Sequence, residues 1–217
     1  MRALVLGLLV LTACRPNPGV PDYSGMASLF GDGGAPMSLP GPHPYVPGTR
    51  RLAFGAFYEG GSSDQLPLDN YFIFSNSYAT VPSDDRVEGL QSDELDFNGT
   101  SFWGGGLFWT KPTDMRGWTT LHVSLKSDAT NLAVIALRML YLTPAPASTE
   151  TTIAVKANAY GWKNDGQWHT LDVPLTDFVS QGLDLSRMRS PFTIGNDQSA
   201  ATAKLGDVLL LDDVYVD

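Results

Sequence analysis

The sequence carries little of what redox, metal or acid–base chemistry uses. Its 217 residues include one cysteine and three histidines. One cysteine excludes an internal disulfide, and three histidines argue against a His-rich zinc enzyme. Positive charge is also short, with 14 Lys and Arg against 23 Asp and Glu and a formal net charge of −9. A chain so acidic is repelled by a polyphosphate, which speaks against a nucleic-acid partner. No apolar run reaches the ~20 residues of a membrane-spanning helix. After Arg50 no long stretch has helical periodicity, and no internal repeat is evident. Gly104-Gly105-Gly106 lacks the Lys-Ser/Thr of a phosphate-binding loop. No Ser/His/Asp or Cys/His arrangement stands out either. What is present is 43% hydrophobic residues and only 17% charged ones. That is enough apolar material for one medium domain with its own core.

The first residues read as an address. Arg2 precedes the apolar run Ala3–Leu11, the pattern of a secretory leader. The run ends Leu11-Thr12-Ala13-Cys14. These four residues resemble the lipobox of bacterial lipoproteins, which implies cleavage before Cys14 and a lipid on its sulfur. The resemblance accounts for the odd cysteine. It implies a signal peptide over 1–13 and a membrane-anchored, extracytoplasmic protein of the cell envelope. Arg15–Thr49 then holds 8 Pro and 7 Gly. Such a composition without a period reads as an extended chain. It predicts a tether over 14–49, or one that packs in part onto the domain.

Residues 50–217 read as an all-β domain. Leu121, Val123 and Leu125 alternate with polar neighbours, as do Leu171 and Val173. Leu132–Leu140 is apolar on both faces, as a central strand is, and the tail Val208–Val216 is one more apolar run. Turn residues separate these runs, including Lys163-Asn164-Asp165-Gly166. Pro174–Gly182 leaves room for one helical turn. This pattern predicts a β-sandwich or barrel. Asp165–Phe178, with its Trp168 before a strand and its Pro174-Leu175 exit, resembles galactose-binding-like jelly rolls. So do the closing strand Leu209–Val216 and the stretches Gly104–Trp109 and Asp114–Val123. That fold occurs in many carbohydrate-binding modules, so the resemblance implies a jelly roll that binds a polysaccharide or other glycan without catalysis.

The strand over Ile153–Trp162 is the most informative for a site. Ile153, Val155, Ala157 and Ala159 form one face by period 2. Lys156, Asn158, Tyr160 and Trp162 then form the other. Two rings beside an amide and an amine suit a sugar, whose apolar face lies on an aromatic ring. Trp109, Trp118 and Arg138 are further candidates. Trp103 beside three glycines points to a close backbone crossing, and Trp168 to a packing role. Asp212 shares the register of Leu210, Val214 and Val216, so a buried carboxylate there needs a partner. The resemblance implies a structural Ca²⁺, with Asp212 and Glu59 as ligands; backbone N–H groups are the alternative partner. The acidic stretches Ser83–Glu88 and Asp93–Asp96 read as a solvated face or a second cation site. The sequence thus predicts a non-enzymatic, monomeric, lipid-anchored carbohydrate binder. The alternatives are a structural or protein-binding surface lipoprotein on the same fold, or a glycoside hydrolase.

Overall fold

A computed structural model describes residues 43, 49–54, 70–197 and 202–217. The leader, Cys14, all of the tether except His43 and Thr49, and Glu59 lie outside the described residues. Among those described, no helix is long and apolar enough to cross a membrane.

In the described residues eleven strands form two antiparallel sheets. They are β1 (Leu52–Ala53), β2 (Asn70–Ile73), β3 (Tyr78–Ser83), β4 (Ser92–Phe97), β5 (Gly104–Phe108), β6 (Thr120–Lys126), β7 (Ile135–Leu142), β8 (Glu150–Lys156), β9 (His169–Pro174), β10 (Met188–Asn196) and β11 (Val208–Val216). One sheet runs β3-β4-β11-β6-β9, with β1 also paired to β11; the other runs β2-β5-β10-β7-β8. Among the described residues the one α-helix, α1 (Leu175–Val179), is the short turn the Pro-Leu exit allows, and the other helical turns are 3-10. The chain is a β-sandwich, one of the two architectures its alternating runs predict, and a jelly roll, as the resemblance implies.

The core lies between the sheets. Leu121, Val123 and Leu125 of β6 and Leu171 and Val173 of β9 face it from one side. Ile135, Leu137 and Met139 of β7 and Phe192 and Ile194 of β10 face it from the other. Trp103, Trp109, Trp118 and Trp162 are each no more than 3% exposed, so four of the five tryptophans pack the interior. Cutting any such ring to Ala would open a cavity costing about 3–5 kcal/mol.

Two strand registers differ from the sequence reading. The run from Ile153 does not continue to Trp162: β8 ends at Lys156, and Ala157–Tyr160 is a 3-10 turn closed by Gly161 at φ 102°. That turn breaks the period of 2 and sends Trp162 inward, where its Nε1 donates to the Leu132 carbonyl at 3.0 Å. Asn158 Nδ2 donates to the Ala133 carbonyl at 2.7 Å and pins the turn to the entrance of β7.

The second departure is a bulge in β11. Leu209 and Leu211 face the core, and so do Val214 and Val216. Their spacing changes parity, which requires one extra residue between them. The pairing with β6 shifts between Asp212 and Tyr215, and Asp213 takes φ 55°. Asp212 therefore shares an outward register with Leu210 and not with Val214 and Val216. The bulge also divides one edge of β11 between two neighbours. β4 pairs along Val208–Leu211, and β1 pairs at Tyr215 and Val216.

Asp212 fills the break between them. Its Oδ2 accepts the Val87 and Glu88 N–H groups at 2.7 and 3.0 Å, and its Oδ1 accepts the Asp213 N–H at 2.8 Å. It thus anchors the 84–90 loop to the sheet. The acidic stretches are not simply a solvated face, because Glu88 and Asp93 are buried. Burial pushes the Asp212 carboxyl from 3.8 up to about 7, against the pull of the three N–H groups. The folded state then holds this proton more tightly than the unfolded chain. Its stabilising effect is fully present below the ordinary carboxyl range and is lost as pH rises through about 7. Denaturation midpoints should therefore contain a component falling between about pH 4 and about pH 7. Asp212→Asn should flatten that component, and an unchanged slope in the variant would remove Asp212 from it.

Candidate functional site

The outward face of the five-stranded sheet combines aromatic, backbone and charged surface. Its central row crosses four strands in register: Phe72 on β2, Gly106 on β5, Thr193 on β10 and Arg138 on β7. At ~4.8 Å per strand, this row places the backbones of Phe72 and Arg138 about 14 Å apart.

Glycine builds the floor between them. A Cβ on Gly104 would meet the Ile194 carbonyl at 2.9 Å and the Phe74 ring at 3.1 Å. One on Gly106 would lie 2.8 Å from Thr193 Oγ1, and one on Gly195 2.6 Å from Arg138 Nη1. Gly105 points to the opposite side, where the Tyr78 hydroxyl sits 1.9 Å from any added Cβ. The three consecutive glycines thus do what their run beside Trp103 suggests, allowing close crossings on both faces. The result is a trough whose glycine floor lies buried beneath Phe74, Thr193 and Arg138.

An aromatic ridge borders one side. Phe72 and Phe74 meet edge to face at 5.0 Å, and Phe74 and Phe102 at 5.5 Å. Phe74 is 40% and Phe102 37% exposed, which is high for large apolar side chains. Phe108 shares the outward register and carries the Arg189 guanidinium 4.5 Å above its ring. Charge borders the other side. The half-buried Arg138 donates from Nη2 to the Asn196 carbonyl. Burial lowers its pKa from the ordinary guanidinium value, and Asp197 partly restores it. Lys156 Nζ lies 3.0 Å from Asp197 Oδ2, and Arg189 3.4 Å from Glu150.

Of the residues predicted from sequence, Arg138 stands in this trough and Lys156 at its charged border. Trp109 and Trp162 are 2% exposed and have no ring face free for a ligand. Tyr160 is half-buried beside α1, where its hydroxyl donates to Asp177 Oδ2 at 2.7 Å. Desolvation raises its pKa to about 12, with Asp177 adding to the shift. Asn158 is exposed but spent on the turn it pins. The expected Tyr160–Trp162 platform is therefore not assembled, because the 3-10 turn separates the two rings.

Phe72, Phe74, Phe102 and Phe108 escaped the sequence reading. The usable signal was Phe72 and Phe74 two apart, together with glycines at 104 and 106 that leave one strand face bare. At Asp212, the surroundings do not fit the Ca²⁺ that the resemblance implied. The groups converging on its oxygens are N–H donors, which stabilise an anion and repel a cation.

The profile of the galactose-binding domain-like family Exop_C matches residues 70–210. The chain belongs to this family. No curated protein sequence matches it. Among solved structures, this galactose-binding-like domain is similar to the family 30 carbohydrate-binding module of a cellulosomal cellulase of Clostridium thermocellum. Identity is 12% and the TM-score 0.54, over 68% of this chain and 89% of that one. It is also similar to the carbohydrate-binding module CtCBM11, at 14% identity and a TM-score of 0.51, over 79% and 97% of the two chains. At these identities the likeness is one of fold.

Proposed function

We propose that this protein is a non-enzymatic, lipid-anchored envelope protein that binds a neutral polysaccharide on the outward face of its five-stranded sheet. The observation that carries the reading is the row from the phenylalanine ridge across the glycine floor to Arg138. Sugar rings have apolar C–H faces that pack on aromatic rings, while their hydroxyls need fixed donors and acceptors. The ridge offers the first, and Arg138, Lys156 and Asp197 the second. A net charge of −9 disfavours acidic polysaccharides and favours neutral ones. The family and the carbohydrate-binding modules of like fold support the same class of ligand.

Binding without hydrolysis fits the carboxylates at the trough. A glycosidase needs two of them free to act as acid and as base or nucleophile. Asp197 is instead paired with Lys156, and Glu150 with Arg189. The lipid on Cys14 and the Pro/Gly-rich tether would hold the binding face away from the membrane.

Affinity electrophoresis against a panel of neutral polysaccharides tests the face. Phe74→Ala and Phe102→Ala should each weaken retention, and the double variant should migrate as it does without polysaccharide. Both side chains are exposed, so stability should change by less than ~1 kcal/mol. Trp162→Ala should do the reverse, costing about 3–5 kcal/mol of stability while any chain still folded binds as the parent does. Full retention by the Phe74/Phe102 double variant would dismiss this face. For the anchor, Cys14→Ser should move the protein from the membrane to the soluble fraction or leave it as precursor.

A further inference from the structure

The other sheet carries a separate cluster on its outward face. His122 of β6 and Asp172 of β9 are register partners, and His43 reaches them from the N-terminal segment. Asp172 Oδ1 lies 2.9 Å from His122 Nδ1 and 3.3 Å from His43 Nε2. One ligand atom from each of the three residues falls within 4.8 Å of the other two. The two imidazoles face each other obliquely, with centroids 4.7 Å apart.

The surroundings of these three atoms are what a metal site needs. Metal-bound histidine commonly offers its second nitrogen to a carboxylate, which fixes ring orientation. His43 Nδ1 meets Asp213 Oδ2 in this way at 2.9 Å, while His122 Nε2 lies 3.2 Å from Asp217 Oδ2 without hydrogen-bond geometry. The Asp213 side chain is fully buried, and its Oδ1 has no hydrogen-bond partner. A carboxylate so placed calls for a nearby cation. Tyr215 supports the floor, stacked on His122 at 4.3 Å. Arg51 is the one positive side chain among these contacts. Its guanidinium lies 4.1 Å over the Tyr215 ring, and its Nη1 donates to the His43 carbonyl at 2.8 Å. Three carboxylates against one guanidinium leave the pocket negative.

We propose that His43, His122 and Asp172 form a binding site for a divalent transition metal of the Zn²⁺ class. Two imidazoles and one carboxylate suit such an ion, with solvent completing a tetrahedron. Ligand atoms ~2.0–2.1 Å from zinc stand about 3.3 Å apart at tetrahedral angles, close to the two distances observed. Asp172 is 61% exposed, so the ion has a route in from solvent. The site joins residue 43 to two strands far along the chain. Metal binding would therefore clasp the end of the tether against the sheet opposite the glycan trough.

The test uses the full chain, stripped with chelator and titrated with Zn²⁺ alone. One ion should bind per chain, and the melting temperature should rise by roughly 5–10 °C at a hundredfold excess over Kd. Co²⁺ should bind in its place and give the visible bands of a four-coordinate ion. His122→Ala can fail to fold, because it removes the ring that stacks on Tyr215. The decisive variants are Asp172→Asn and His43→Gln, at the more exposed positions. Each should weaken Zn²⁺ at least tenfold. Asp172→Asn should melt as the zinc-free parent does, and His43→Gln, which replaces the imidazole partner of the buried Asp213 by an amide, should remain folded. A folded parent that takes up no stoichiometric Zn²⁺, or two variants that bind it as tightly as the parent, would overturn the site. Polysaccharide retention does not enter either outcome.

Discussion

One extra residue in β11 sets the geometry of half the molecule. Without the bulge at Asp212–Asp213, the parity that buries Leu209 and Leu211 would turn Val214 and Val216 out to solvent. The bulge keeps all four in the core and presents Asp212, Asp213 and Tyr215 on the outer side. It lets β4 and β1 share one edge of a single strand. The cost is a non-glycine residue at positive φ and two adjacent carboxylates out of water. Each carboxylate is compensated differently. Asp212 is held by three backbone N–H groups and fixes a loop. Asp213 is approached by His43 and Ser124.

This arrangement separates the outward faces of the two sheets. The six-stranded sheet is overlaid by the loop that Asp212 anchors and by the His43–Arg51 contacts around Tyr215. The five-stranded sheet has glycines where its neighbour has His122, Ser124 and Tyr215. Its outward surface is consequently a trough edged by phenylalanines. A fold shared with carbohydrate-binding modules does not by itself specify a ligand. The exposed rings of Phe74 and Phe102 give the trough its chemical character.

Much of the sandwich was legible in the sequence because burial on one face writes a period of 2. Leu121-Val123-Leu125 and Leu171-Val173 fell on the core side as that period requires. The reading failed where the backbone changes period without changing composition. Ala157 and Ala159 continue the alternation of Ile153 and Val155, yet belong to a 3-10 turn. Nothing in their side chains marks the break; Gly161 after them is the sole local sign. The same failure put Asp212 on the wrong face, since a strict period of 2 was carried through Asp212-Asp213, where the bulge shifts it. The convergence of His43, His122 and Asp172 was out of reach for another reason. They are far apart along the chain, and only the strand order brings them together.

The central claim is that ligand binds the glycine-floored face of the five-stranded sheet. Backbone amide shifts during titration with a neutral oligosaccharide that the protein retains test it most directly. The account predicts saturable changes over Gly104–Phe108 and Thr193–Asp197, with the outward residues of β6, β9 and β11 unmoved. Changes centred on His122, Asp172 and Tyr215 instead, with Gly104–Phe108 silent, would contradict it.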